Sequence, residues 1–171
     1  LFLKVNREKT KVAHVLFVKY LGYSFYTYRG EGRLRIHPRS IEKLKDKIRE
    51  VTGRSNGMSI EERKSRLNRI VQGWTNYFKL ADAKVLLQRL DEWMRRRIRM
   101  VTWKRWKRIR TKFENLKRAG IERERAWMWA NTRKGYWRIA NSPILTRAIS
   151  NDLLMLKRAG YLSLMECYSA T

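Results

Sequence analysis

Cysteine is nearly missing from this sequence, with Cys167 standing alone among 171 residues. One thiol closes no disulfide within the chain and builds no Cys-rich zinc site, and the two histidines, His14 and His37, supply no metal cluster in its place. The lack of thiol pairs fits a reducing cytosol, and cytoplasmic localisation is the expectation. No run of about 18 apolar residues occurs, so no membrane span is expected. Leu1-Phe2-Leu3-Lys4-Val5 lacks the basic segment and long apolar stretch of a signal peptide. A first residue of Leu rather than Met predicts a reading frame that begins further upstream. Acidic residues are also scarce, 15 Asp plus Glu against 41 Lys plus Arg, and they are scattered. The only adjacent pairs, Glu61-Glu62 and Asp91-Glu92, fall in the first half of expected helices, where a capping or solvated role suits them. The clustered carboxylates of a polymerase or metal nuclease are therefore missing. So are a Gly-rich phosphate loop, a Ser–His–Asp set and a Cys–His nucleophile.

What the chain has is positive charge, a formal +26. Self-repulsion at this density opposes compaction unless anions offset it, which makes a polyanion, and nucleic acid in particular, the leading partner class. A disordered basic tail is excluded by the 43% hydrophobic and 12% aromatic content, with 7 Trp and 8 Tyr. One or two small folded domains fit the length.

The hydrophobic pattern divides the chain. Residues 1 to about 36 read differently from the rest: Val12, Val15 and 17–28 are rich in β-branched and aromatic residues, and Arg29-Gly30-Glu31-Gly32 separates two runs with strand character, predicting a hairpin. From Pro38 the period becomes helical. Ile41, Leu44, Ile48 and Val51 form one face, closed by Gly53. Ser59 with Glu62 reads as a capping box for a second helix bearing Leu67, Ile70, Val71, Trp74 and Phe78 and ending near Leu80. Asp82 is the expected N-cap of a third helix over 83–106 with a stripe of Leu86, Leu87, Leu90, Met94, Ile98 and Val101. Helices over 112–119 and 121–130 follow, broken at Gly120. Leu145, Ala148, Ile149, Leu153 and Leu156 predict one further amphipathic helix ended by Gly160, and a short helix over 162–168 comes last. The expected fold is mainly α: a short N-terminal β-hairpin, a three-helix unit and a helical C-terminal region.

The charge is densest over 95–112, where ten of eighteen residues are basic and none is acidic: Arg95, Arg96, Arg97, Arg99, Lys104, Arg105, Lys107, Arg108, Arg110 and Lys112. With no compensating carboxylate, the run reads as a phosphate-contacting surface, and Arg63, Lys64, Arg66 and Arg69 of the preceding helix join the candidate RNA-binding set. Guanidinium forks grip phosphate oxygens and stack on unpaired bases, which suits folded RNA. Trp74 and Trp93 fall on apolar stripes and read as core. Trp103, Trp106, Trp127, Trp129 and Trp137 lie among charges, where their rings either pack under Arg stems or stack on bases, and the sequence leaves both open. Trp103 and Trp106 are the stacking candidates.

Gly73-Trp74-Thr75-Asn76-Tyr77-Phe78 resembles the central signature of the maturase-specific domain (domain X, or thumb) of bacterial group II intron-encoded reverse transcriptases, with Gly73, Trp74, Asn76, Tyr77 and Phe78 as its signature residues. The resemblance extends to Arg33-Leu34-Arg35-Ile36-His37-Pro38, Arg95-Arg96-Arg97-Ile98-Arg99 and Trp103-Lys104-Arg105-Trp106-Lys107. Downstream, Gly135-Tyr136-Trp137-Arg138-Ile139-Ala140-Asn141-Ser142-Pro143 is similar to the family's C-terminal part. Upstream, Leu3-Lys4-Val5-Asn6-Arg7-Glu8-Lys9-Thr10-Lys11 and Tyr20-Leu21-Gly22-Tyr23-Ser24-Phe25 resemble the end of its polymerase palm.

The resemblance implies a palm remnant over 1–36, a thumb or maturase domain over 37–112 and a helical region over 113–171 whose basic character permits DNA or RNA contact. It implies a protein that binds its own group II intron RNA, stabilises the RNA's active fold for splicing, and serves as the thumb holding a template–primer duplex during retrohoming. The remainder of the reverse transcriptase, and a DNA target, are further implied partners. The splicing chemistry would belong to the RNA, and Mg²⁺ is expected for the parent polymerase and for the intron RNA, with no cofactor or metal held by this chain. The polymerase aspartates would lie before Leu1, so the chain alone would not polymerise DNA. Lys9 matches a palm lysine that acts as a general acid on the leaving pyrophosphate, against the plainer reading of a solvated lysine. Two other readings stand beside this one: a polymerase thumb without a splicing role, and a basic structural protein that binds nucleic acid generally.

Overall fold

The computed structural model describes residues 12–154 and 160–170. A single 3-10 turn, Val15–Phe17, leads into three short antiparallel strands in the order β1 (Lys19–Tyr20), β2 (Tyr23–Tyr28) and β3 (Glu31–Ile36). Tyr23 pairs with Ile36 and Tyr28 with Glu31. The loop expected to span four residues is thus only Arg29-Gly30, with φ of 51° and 81°. Two consecutive left-handed residues give the tight turn whose twist matches paired strands. Gly32 is not needed for the reversal and joins β3 instead.

Nine helices follow among the described residues. α1 (Pro38–Val51) begins where His37 Nδ1 accepts from the Arg39 N–H at 3.1 Å and proline occupies the first turn, which costs no hydrogen bond. α2 (Ile60–Tyr77) starts at Ser59, whose Oγ accepts from Glu62 N at 3.0 Å. The reciprocal half of the expected capping box is replaced, because the Glu62 carboxylate pairs with Arg66 at 2.8 Å. α3 (Lys84–Arg105) is preceded by Ala83, not by a capping Asp82. Asp82 is recruited by the sheet: its N–H donates to Leu34 O at 2.8 Å and its carboxylate accepts from the Tyr26 hydroxyl at 2.7 Å. These bonds tie β2 and β3 to the start of α3.

The remaining helices are shorter: α4 (Ile109–Arg118), α5 (Arg123–Ala130), α6 (Tyr136–Ile139), α7 (Pro143–Ala148), α8 (Asn151–Leu154) and α9 (Leu164–Ser169). α4 and α5 form a hairpin of helices through Gly120, at φ 76°. The single helix expected over 145–156 is broken at Ile149, and Leu156 lies outside the described residues. One hydrophobic cluster runs from Ile36 through Leu44, Ile48, Leu67, Val71, Leu87, Met94, Ile98 and Leu116 to Leu164. α9 packs on both α2 and α3. Its first turn is capped by Asp91, 2% exposed on α3, which accepts from Ser163 Oγ, Leu164 N and Met165 N at 2.5, 2.8 and 3.1 Å. A buried carboxylate at a helix N-terminus satisfies orphan donors and complements the positive end of the helix dipole.

Candidate nucleic-acid interface

The basic run that the sequence presents as one surface is divided by the fold. Arg99, 6% exposed, donates to Ile149 O at 2.9 Å and to Asn151 Oδ1 at 2.7 Å. Arg97 reaches Thr52 Oγ1 at 2.5 Å and the Arg49 and Thr52 carbonyls, while Arg96 makes a forked contact to Trp137 O at 3.3 and 3.0 Å with its guanidinium 3.9 Å from the Trp137 ring centroid. On α2, Arg63 is buried too and donates to Val51 O and Asn56 Oδ1 at 3.0 and 2.7 Å. Arg97 and Arg63 converge on the C-terminal end of α1, and Arg99 caps the end of α7. These arginines neutralise the negative ends of neighbouring helix dipoles and satisfy carbonyls that helix termination leaves open. Burial lowers the pKa of all four, with Arg49 and Arg54 adding to the effect at Arg97 and Arg95 at Arg99, yet a guanidinium keeps its proton in a protein.

Arg95 is half-buried in a narrow crevice with Asp91, Leu154 and Tyr161. Lys104 donates to Arg54 O and Ser55 Oγ. Lys64 lies against Gly160, Arg66 is paired with Glu62, and Arg69 is exposed. Trp103 is 3% exposed within the core, its ring 5.8 Å from Trp106 and 4.9 Å below Lys112 Nζ. Neither face of that indole is offered to a base, because the third helix's apolar stripe extends through it. Trp106 is half-buried against the same core. Lys9 lies outside the described residues.

Arg105, Lys107, Arg108 and Arg110 form the outward part of the set. All four are exposed, and none hydrogen-bonds through its side chain to another described residue. Lys107, Arg108 and Arg110 gather at the start of α4, where Arg108 occupies the N-cap without a side-chain cap bond and no acid enters the first turn. Cations at a helix N-terminus oppose the dipole, and that end has an intrinsic affinity for phosphate.

A second basic surface carries residues outside the expected RNA-binding set. Arg54, Arg97, Met100, Tyr136, Trp137 and Arg138 line an open cleft of about 660 Å³, with the Arg54 guanidinium 5.5 Å from the Tyr136 ring centroid. Stacked arginines beside half-exposed aromatic rings are suited to phosphates and unpaired bases. The motif around Tyr136 and Trp137 was legible, but not its partnership with Arg54, 82 residues earlier.

The Gly73–Phe78 segment binds the sheet to the helices. The Tyr77 hydroxyl donates to Leu21 O at 2.8 Å, the Tyr23 hydroxyl donates to Tyr77 O, and Phe78 meets the rings of Tyr23, Trp74 and Tyr77 at 5.1, 4.8 and 4.8 Å. A side chain at Gly22 would meet Ser40 Oγ at 2.9 Å and Phe78 at 3.1 Å, so the β1–β2 turn seats against these aromatics only as glycine, at φ 85°. Gly73 and Asn76 are exposed.

This segment lies within the stretch that matches a family model: residues 41–120 match the group II intron, maturase-specific domain. That stretch belongs to the maturase-specific domain family. No curated protein matches the chain. The matched stretch thus runs from the first turn of α1 through α4, including both the inward arginines and the exposed start of α4. Among the described residues no three His, Cys, Asp or Glu side chains come together as metal donors. No helix among them is long and apolar enough to cross a membrane.

Proposed function

We propose that this chain is an RNA-binding maturase module that stabilises the active fold of group II intron RNA for splicing and forms the thumb of a parent reverse transcriptase. The observation that carries this reading is the exposed, carboxylate-free start of α4 inside the maturase-specific domain, where three cations and the positive end of a helix share one place. Among the described residues that arrangement has no ion-pair or hydrogen-bond partner, and an RNA phosphate supplies one. Lys107 and Arg108 lie in the three-residue segment between α3 and α4 and Arg110 in the first turn of α4, so the cations are held between two helices anchored in the core and approach RNA as a preorganised surface. Close-packed RNA phosphates repel one another, and a rigid basic surface lowers that repulsion in the compact fold. The same surface suits the backbone of a template–primer duplex or a DNA target.

Binding of the full chain to a folded group II intron RNA, an unrelated structured RNA and duplex DNA across a salt series tests the proposal. Contact with roughly 6 to 10 phosphates should lower affinity by about 10³- to 10⁵-fold between about 50 and 200 mM salt, with the intron RNA held most tightly throughout. Equal affinity for all three ligands at every salt concentration would reduce the chain to a general basic binder.

A further inference from the structure

Gly73 sits mid-helix in α2, exposed, in a position where glycine is unfavourable relative to almost any other residue. Nothing among the described residues accounts for it. A Cβ built there meets no atom within 4 Å, and its φ is not in the left-handed region. The missing side chain instead opens the floor of a groove of about 660 Å³ between the β1–β2 turn, α1 and α2. Trp74 and Tyr77 border the gap, with Tyr77 half exposed. Around the groove stand Lys19, Lys43, Lys47 and Arg69, and no carboxylate lines it. Of the three acids of α1, Glu42 pairs with Lys45 at 2.8 Å and Asp46 with Arg49 at 2.6 Å, and Glu50 is not part of the groove lining.

An apolar, aromatic floor inside a ring of four cations matches one ligand chemistry well: a flat apolar heterocycle attached to phosphates. We propose that this groove receives a single unpaired RNA nucleotide, its base against Trp74 and Tyr77 over Gly73 and its flanking phosphates at Lys43, Lys47 and Arg69. The volume lies in the range of small-molecule sites and admits one nucleotide. Every base presents a π-face, so stacking here is tolerant of sequence, and the unpaired state rather than base identity is selected. An apolar protein segment is the competing occupant, but it would bury the groove beside four cations without offering them an anion. The inference rests on the RNA-binding reading above and adds to it a site for an extruded base.

The test uses the full chain and two RNA hairpins identical except that one carries a single bulged 2-aminopurine nucleotide and the other has that nucleotide paired. The bulged hairpin should bind at least tenfold more tightly, with 2-aminopurine emission quenched on binding. Gly73→Leu fills the gap with a better helix former and should abolish that preference while leaving affinity for the paired hairpin intact and raising the thermal midpoint by about 2 °C. A second variant, Lys43→Gln with Lys47→Gln, leaves the groove open and should weaken the bulged hairpin more than the paired one. Equal affinity of the unaltered chain for both hairpins overturns the groove assignment while leaving the RNA-binding proposal standing. So does a bulge preference that survives Gly73→Leu, the result expected if protein occupies the groove. Failure to bind either hairpin overturns both proposals.

Discussion

Two parts of one basic run meet opposite fates. At the centre of α3, Arg96, Arg97 and Arg99 are drawn onto the protein's own carbonyls, at Trp137, Thr52 and Ile149. A few residues later, Arg105, Lys107, Arg108 and Arg110 face water. The sequence alone offers no distinction between them, since both parts are rich in cations and free of acids. What separates them is the supply of acceptors. The centre of α3 lies against the terminating ends of α1, α6 and α7, where helix geometry leaves carbonyls unbonded, whereas the segment between α3 and α4 has passed the edge of the packed core. A buried guanidinium held by neutral carbonyls is part of the architecture, and an exposed one without an acceptor is available to a ligand.

The largest effect expected from this contrast is on binding. Replacing Arg105, Lys107, Arg108 and Arg110 together by Gln should lower affinity for intron RNA by about a hundredfold at low salt, about 2.7 kcal/mol, and make the log–log salt slope shallower by about three. The thermal midpoint should stay where it is, because none of the four is buried. An unchanged salt slope would show that these cations do not face the RNA, and the division of the run would lose its functional meaning.

The inward part should behave in the reverse manner. Arg99→Met keeps the apolar stem but leaves the Ile149 carbonyl without its donor and frees the junction between α7 and α8, a loss of about 2 kcal/mol in urea unfolding. The gain from no longer burying a charge offsets part of the lost hydrogen bonds, which keeps the figure moderate. RNA affinity measured on the folded fraction should change little. A large drop in affinity at unchanged stability would instead place Arg99 at the interface.

The helical segments were legible because packing and periodicity report the same thing: Leu44, Ile48 and Val51 repeat at helical spacing because one face of α1 is buried, and all three are. The strands were legible from composition, though Arg at the first turn position hid the two-residue reversal. Features set by tertiary contacts were not. Asp82 has the residue type and position of an N-cap but finds better donors across the sheet. Asp91 caps α9, 73 residues away in sequence, and the helix expected over 145–156 breaks where the Ile149 carbonyl turns to Arg99. The same limit governs the site. A sequence states how many cations there are, but not which of them meet a helix end, so Arg63 and Arg99 look like Arg105 until their acceptors are in place. The apolar stripe of α3 in fact continues to Trp103, and neighbouring charges disguised a core residue as a stacking candidate.

The smallest expected effect concerns His37, a titratable group at the sheet–helix junction that feels three exposed cations. Its pKa is lowered from 6.5, first by desolvation and then by the charges of Lys19, Arg39 and Arg35. The neutral ring is also the form that works structurally, since Nδ1 must accept the Arg39 N–H at the start of α1, where a positive charge opposes the helix dipole. With the folded value below the unfolded one, the contribution to stability is complete above about pH 6.5. It declines as pH falls, because the unfolded chain takes up the proton first, and levels off only below the folded pKa. His37→Asn retains a capping acceptor without a titration. Between about pH 7.5 and pH 5 the unaltered chain's thermal midpoint should fall relative to the variant's by on the order of 1 °C, and added salt should shrink the difference by screening the three cations. A difference that grows as the pH is lowered but ignores salt would assign the shift to desolvation alone, and one of opposite sign would mean that the ring is held in its protonated form.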